Sequence, residues 1–488
     1  MADGMQSPFN IGAHYGVVAT RHAGFPALMG DGVALSHGQF WQVVNGLAAH
    51  LAADGVGPGG LVALNSRNMV VVLATLMATG LLGAGFVVAG PILARAQVIR
   101  PTHFYRTPDL MGHPAVPFRL LQPAWLRTDG LQTADVPPAA VDPDAPWLFL
   151  HTSGTTGEPK FIALSQRIVY DRSRAAAADF PLARTTFATF FGCTSRPFFA
   201  RAMAALLQAC TVVEGADTDL WLRHGVNFVA ASPMQMFRKL EEGRLPRRVA
   251  RLEISGSRVP AGSARLYLES FDKVLDVYGA SETSKTFANK LQLGPDGMIE
   301  IHGQPLDSEV EIVDAMGTRC APGQAGQVRV RNGYMVSGYL NAPETSARAF
   351  RDGWFYPGDI AHWGTNGELV ILGRDDDVIN LGGYKIQAGL VDAMLCSVPG
   401  VREAVAFRNP IPSTKDAMIA FVLYDDPSQR ANVNIEILAR IDRFIGFGLS
   451  ERSLRSVTEL PRDEDGLPDR VACSEMVLRR ARELGEIG

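Results

Sequence analysis

The strongest chemical signal in the chain is the run Leu150-His151-Thr152-Ser153-Gly154-Thr155-Thr156-Gly157-Glu158-Pro159-Lys160. An apolar strand over residues 147–150 feeds a loop dense in hydroxyls and glycine that ends in one lysine. Glycines let backbone N–H groups approach phosphate oxygens, hydroxyls add donors, and the lysine supplies a point charge. The spacing is not that of a Walker loop, because Gly-x-x-x-x-Gly-Lys-Ser/Thr finds no match here. A Ser/Thr/Gly surface turn is the plainer alternative. The five cysteines, Cys193, Cys210, Cys320, Cys396 and Cys473, lie far apart with no Cys-x-x-Cys pair. That spacing excludes a disulfide scaffold and a zinc ribbon and fits a reducing compartment.

Four further motifs follow the loop in order. They are Tyr278-Gly279-Ala280-Ser281-Glu282; Gly338-Tyr339 with Gly353-Trp354-Phe355-Tyr356-Pro357-Gly358-Asp359; Gly373-Arg374-Asp375-Asp376-Asp377; and Gly382-Gly383-Tyr384-Lys385-Ile386. Together with the loop, over roughly residues 30 to 470, the chain resembles the adenylate-forming superfamily: acyl- and aryl-CoA synthetases, peptide-synthetase adenylation domains and luciferases. Serine stands at the usual threonine of the second motif, and Pro357 replaces a threonine in the third.

The resemblance implies a role for each residue. Thr152, Ser153, Gly154, Thr155, Thr156, Gly157 and Lys160 would hold the β- and γ-phosphates of ATP. Glu282 is the expected Mg²⁺ ligand, since a carboxylate beside a triphosphate calls for a cation between them. Ser281 would bond the α-phosphate. Asp359 would accept both ribose hydroxyls, and Arg374 would add a ribose or phosphate contact. Gly256 and Ser257 would lie along the adenine with Tyr278 packed nearby. Asp376 sits at the pivot of a C-terminal lid, which closes for adenylation and rotates so that residues 382–385, with Lys385, line a channel for a pantetheine thiol. Read without the motifs, Asp359 is a solvated turn aspartate, Glu282 a helix N-terminal carboxylate, and Gly382-Gly383 ordinary hairpin glycines.

Two departures matter. The family's C-terminal motif carries a lysine that reaches the acid and the α-phosphate, and in Leu460-Pro461-Arg462-Asp463-Glu464-Asp465-Gly466-Leu467-Pro468-Asp469-Arg470 its position holds Leu467. No lysine follows Lys415, so a shift of register does not restore it. Loss of such a charge typically costs ~10²–10³ in rate. Three readings stay open: Arg462 or Arg470 substitutes, adenylation is slow but sufficient, or the first half-reaction has been abandoned. In the acid pocket, Thr194 or Ser195 falls at a gate that relatives often fill with histidine or an aromatic ring. Arg196 is either a binder of a carboxylate or polar group or a surface arginine capping the following helix. Ser232, Gly279 and residues 255–258 would complete the pocket; small residues and few charges fit an aromatic or medium-chain acid.

The implied activity is ATP-dependent acid–thiol ligation of a small-molecule carboxylic acid, with CoA or the phosphopantetheine of an acyl carrier protein as acceptor. The alternatives are an adenylate-forming enzyme with a non-thiol acceptor or unusual acid, and a degenerate nucleotide-binding module.

These residues need elements to position them. Short apolar runs alternate with helical patterns through the first 300 residues, predicting α/β layers on largely parallel sheets. After about Gly294 short strands with turn signals predict a small β-barrel or twisted sheet, and from Asp376 a compact α+β unit follows. The fold class expected is therefore α/β: a large N-terminal domain (1–375) of layered sheets plus a small barrel, then a C-terminal lid (376–488). The 488 residues, 47% hydrophobic and 20% charged, supply sizeable cores. A net charge of −4 with no like-charge block gives no basis for nucleic-acid binding. Residues 68–94 lack any charge, yet their glycines and Pro91 read as a helix over 69–79, a glycine turn and a buried strand over 85–89, not as a membrane span. The first 15 residues lack the basic and apolar segments of a secretion signal, and the expectation is a cytoplasmic protein.

Overall fold

The computed structural model describes residues 9–486 except 90–97, 111–117, 127, 129–134, 153–159, 244, 257–258, 260, 375–377, 382–383, 412–417, 446–449 and 463–467. Two large sheets dominate it. A six-stranded sheet runs Arg119–Leu120, His103–Arg106, Leu61–Asn65, Gly85–Val88, Pro146–Thr152, Lys160–Ser165, parallel except for its last pair. A nine-stranded sheet has a parallel centre of Phe271–Ala280, Val249–Ser255, Phe228–Ala231, Thr186–Thr189, Thr211–Val213 and Pro26–Gly30. Antiparallel strands extend it at both edges: Val33–Ser36 at one, and Ser284–Leu293 with Ile299–Pro305 at the other. The α/β class is as expected, but the β-rich texture expected after Gly294 begins one strand late, because Ile299–Pro305 still belongs to the large sheet.

The charge-free stretch shows how local chemistry sets an element. Asn68 caps the helix Met69–Leu82 by accepting the Val71 N–H, and Gly83, at φ 71°, ends it in the left-handed conformation. The helix therefore runs three residues past the expected stop at Thr79. Gly80 does not break it; the position needs no side chain because a Cβ there would meet Trp147 at 3.2 Å and Ile11 at 3.0 Å. Every residue of this helix but Val70 is buried, which accounts for its apolar composition without a membrane. No helix among the described residues is long and apolar enough to cross one.

Beyond Pro305 a six-stranded antiparallel sheet forms from Glu309–Val313, Gly326–Arg331, Phe350–Arg351, Trp354–Phe355, Asp359–Trp363 and Leu369–Arg374. Its core, Ile312, Val328, Val330, Ala361 and Leu369, includes Phe287 of the nine-stranded sheet. The C-terminal segment packs a three-stranded sheet (Val401–Arg408, Met418–Tyr424, Leu454–Ser456) against the helices Ala388–Cys396, Arg430–Ile445 and Arg470–Glu483. Both of its apolar clusters draw only on residues from Ile379 onward.

Candidate active site

Adjacent parallel strands deliver the expected site residues at their carboxyl ends, where open α/β sheets place ligands. Residues 194–196 follow Thr186–Thr189, Ser232 follows Phe228–Ala231, Gly256 follows Val249–Ser255, and Ser281-Glu282 follow Phe271–Ala280. In the other large sheet, Thr152 ends Pro146–Thr152 and pairs directly with Lys160, so the two ends of the glycine-rich loop are held together by a strand ladder.

Ser281 and Glu282 occupy the turn between antiparallel strands, where Ala280 pairs with Ser284. This geometry removes the reading of Glu282 as a helix N-terminal carboxylate. Gly279 is demanded by the backbone: a Cβ there would lie 3.0 Å from the Lys285 Cα and closer still to the Ser284 carbonyl. Buried Arg172, on the helix Gln166–Ala175, fixes this turn from behind. Its Nη1 donates to the Ser281 carbonyl (2.9 Å), its Nη2 to the Glu282 carbonyl (2.8 Å) and its Nε to the Tyr334 carbonyl (3.1 Å). Burial lowers the Arg172 pKa to about 10, against the pull of Glu282; the group remains a cation at neutral pH.

The Glu282 side chain is 6% exposed and accepts a 2.8 Å bond from the Tyr339 hydroxyl on Oε1. Burial and then the Glu282 charge push the Tyr339 pKa far up, so it stays a donor. Lys160 Nζ lies 5.5 Å above the Tyr339 ring, and the Leu340 N–H bonds the Phe161 carbonyl. Lys160, Tyr339 and Glu282 thus form one contiguous group. A single carboxylate with its second oxygen unbonded among the described residues suits Mg²⁺, which takes one or two protein carboxylates and completes its shell with phosphate and water.

Asp359 begins the strand Asp359–Trp363 and pairs in register with Arg374. Its side chain is 16% exposed, its Oδ2 accepts from the Tyr278 hydroxyl, and Arg374 Nη1 lies 3.6 Å from Oδ1. It is a positioned carboxylate, not a solvated turn residue. Burial, then Asp359, raises the Tyr278 pKa well above its ordinary value, so its proton stays on. Arg374 Nη2 also donates to the Pro357 carbonyl at 2.9 Å, tying down the loop in which proline replaces threonine. Gly256 ends its strand at φ 105°, a conformation that favours glycine.

Among the residues expected to border the acid, Arg196 opens the helix Arg196–Leu207, and its Nη1 donates to Ser281 Oγ. It is half-buried and reaches the motif turn, so it is no surface cap. Thr194 and Ser195 are half-buried beside it, and Ser195 Oγ is buried without a partner among the described residues. Ser232 is a helix cap: its Oγ accepts the Gln235 N–H and the Gln235 side chain returns the bond. An ionic cluster unannounced by the sequence lies beneath. Glu253, fully buried in its strand, meets Arg201 (3.1 Å), Arg251 (2.6 Å) and Lys285 (2.9 Å), and Asp179 bonds the last two. Burial disfavours the Glu253 charge, but Lys285, Arg201 and Arg251 outweigh it and hold the carboxyl ionised far below its usual range. Arg201 thereby locks the helix that begins with Arg196.

Not all expected residues converge. Arg462 pairs with Glu403 at 2.6 Å, and Arg470 pairs with Asp392, both inside the C-terminal unit. Lys385 sits on the strand Tyr384–Gln387 opposite Asn380. Ser153, Gly154, Thr155, Thr156, Gly157, Ser257, Asp376 and Leu467 lie outside the described residues. Sequence reasoning missed Arg172 entirely. Tyr339 stood inside a quoted motif, which was the only available signal.

Residues 106–340 match the family of AMP-binding enzymes. A 3-hydroxybenzoate–CoA ligase from an Aromatoleum species is 25% identical over 485 residues, covering 90% of this chain and 91% of that protein. A salicylyl-CoA synthase / salicylate adenylyltransferase from a Streptomyces species is 29% identical over 362 residues, covering 68% of this chain and 63% of that protein. Among solved structures, the amide bond synthetase McbA from Marinactinospora thermotolerans superposes with a TM-score of 0.78 at 22% identity, over 96% of this chain and 99% of that one.

Proposed function

Because the chain belongs to the AMP-binding enzymes, we propose that it is an acid–thiol ligase that adenylates an aromatic carboxylic acid and passes the acyl group to CoA or a carrier-protein phosphopantetheine. The observation that carries the reading is the contiguity of Lys160, Tyr339, Glu282 and Ser281 with the Tyr278–Asp359–Arg374 group. The acid class is supported by the hydroxybenzoate and salicylate named for the relatives and by the small residues expected around the acid, Thr194, Ser195, Ser232 and Gly279.

In the first step a carboxylate oxygen attacks the α-phosphorus of ATP; that O–P bond forms, the Pα–O bond to the β-phosphate breaks, and pyrophosphate leaves. The loop 152–160 holds the β- and γ-phosphates, Ser281 the α-phosphate, Asp359 and Arg374 the ribose. Gly256, Ser257 and Tyr278 flank the adenine, while Thr194, Ser195, Ser232 and Gly279 border the acid. Mg²⁺, when bound, would neutralise phosphate charge, with Glu282 as its protein ligand. In the second step a thiol sulfur attacks the acyl carbon, AMP departs, and the thiol proton is lost to solvent. The domain 376–488 pivots near Asp376 between the steps, presenting Lys385 to the thiol arm. Five free cysteines, with no Cys-x-x-Cys pair, are consistent with a reducing compartment such as the cytoplasm.

The leucine at 467 favours a second reading, a module that binds nucleotide without forming adenylate. Pyrophosphate exchange with benzoate, salicylate, 3- and 4-hydroxybenzoate and anthranilate, followed by CoA addition, separates the two. Acid-dependent exchange with AMP release only on addition of thiol is expected. Bound AMP with no exchange for any acid would establish the module instead.

A further inference from the structure

The C-terminal motif carries no lysine, since none follows Lys415, and both arginines near that motif are committed to carboxylates of their own unit, Arg462 to Glu403 and Arg470 to Asp392. The N-terminal domain, in contrast, brings a guanidinium to the motif turn. Arg196 Nη1 donates to the hydroxyl of Ser281, a residue 1% exposed and next to Glu282. The backbone carrying Arg196 is rigid: Phe198 and Phe199 are buried in the main core, and Arg201, one turn on, donates to the Pro197 carbonyl and pairs with buried Glu253. Arg196 is close enough to Arg172 for its charge to be felt there. Two cations therefore bear on the same short turn. Arg172 donates to three backbone carbonyls of the turn region, whereas Arg196 reaches the side-chain face of the turn, at the Ser281 hydroxyl.

We propose that Arg196 is a catalytic residue that holds the α-phosphoryl group together with Ser281, and so supplies from the N-terminal domain the positive charge that the C-terminal unit lacks at Leu467. A guanidinium suits this place because its planar fork can bridge a phosphoryl oxygen and an attacking carboxylate oxygen at once. No proton moves in the step: the acid oxygen–phosphorus bond forms, the bond to pyrophosphate breaks, and Arg196 faces the negative charge that builds between them. A charge fixed on the main body has a further consequence. Adenylation then depends less on the closed orientation of the C-terminal domain than it would with the cation carried by that domain.

The adenylation part rests on the function proposed above; the α-phosphate contact does not, and the test reads them separately. The full chain and its Arg196→Ala and Arg196→Lys variants are titrated with AMP and with adenosine by calorimetry. Arg196→Ala is expected to weaken AMP about 10–100-fold, the range for loss of a charge-assisted hydrogen bond, with adenosine affinity unchanged; Arg196→Lys recovers part of the loss. In pyrophosphate exchange Arg196→Ala falls ~10²–10³-fold, and adding Leu467→Lys to Arg196→Ala restores exchange. Equal weakening of AMP and adenosine, or no change in either, overturns the proposal, as does a raised KM for the acid with AMP binding intact. If the unmodified chain shows no exchange with any acid while Arg196→Ala still loses AMP selectively, the ligase reading fails and the α-phosphate contact stands.

Discussion

Cations beside the Ser281-Glu282 turn and cations beside the C-terminal motif are used in opposite ways. In the C-terminal unit, Arg462 and Arg470 bind Glu403 and Asp392 and join its strands and helices. In the N-terminal domain, Arg172 and Lys160 are set against carbonyls and an aromatic face. An arginine bonded to carbonyls keeps its full charge, because neutral acceptors do not cancel it. An arginine bonded to a carboxylate has its field largely neutralised. The first arrangement attracts a polyphosphate; the second builds a fold. Where a cation stands in the sequence therefore says little until its partner is known.

The largest effect expected from breaking this arrangement is at Glu282, a carboxylate set among these cations. Glu282→Gln keeps the size and the bond from Tyr339 but removes the charge that suits Mg²⁺, and Mg²⁺-dependent exchange should fall about 10²–10³-fold. Turnover that keeps its dependence on Mg²⁺ concentration would remove Glu282 from the metal site.

Next comes Arg172→Met, which fills the space and leaves three buried carbonyls without donors. Each buried acceptor left unsatisfied costs about 1–3 kcal/mol, readable in urea unfolding. Exchange should drop with it, because the Ser281-Glu282 turn loses its anchor. Arg172→Lys should recover only part, since one compact ammonium does not span three acceptors. A stable Arg172→Met variant with full exchange would show that the strand ladder alone holds the turn.

The smallest functional effect belongs to Arg462→Ala and Arg470→Ala. Each should destabilise the C-terminal unit by about 1.5–3 kcal/mol, the range for hydrogen bonds to charged groups, with AMP affinity unchanged. Selective loss of exchange in either variant, at temperatures where it is folded, would return that arginine to the reacting centre and collapse the contrast drawn above.

How far the sequence reached can be judged from single residues. Lys160, Glu282 and Asp359 were legible because each sits in a short motif whose spacing is itself the signal. The alternation of apolar strands with helices gave the layered class, and Asn68 and Gly83 are local signals that mark both ends of the helix Met69–Leu82. The extra strand Ile299–Pro305 was not legible, since an edge strand facing solvent carries a mixed pattern without a clean period.

What the sequence determined by itself is local: the motifs, the caps, the period of the strands and the absence of a lysine after Lys415. These depend on residues a few positions apart. The tertiary structure alone decided which cations meet which partners. Arg172 reaches carbonyls 109 and 110 residues away, Arg196 a hydroxyl 85 away, and Arg462 a carboxylate 59 away. Side chains so far apart in the chain have no shared pattern to read, and an arginine has the same letter whether its partner is a carbonyl or a carboxylate. Only the strand order, which sets the ends of four parallel strands side by side, fixes which charge remains to act on a ligand.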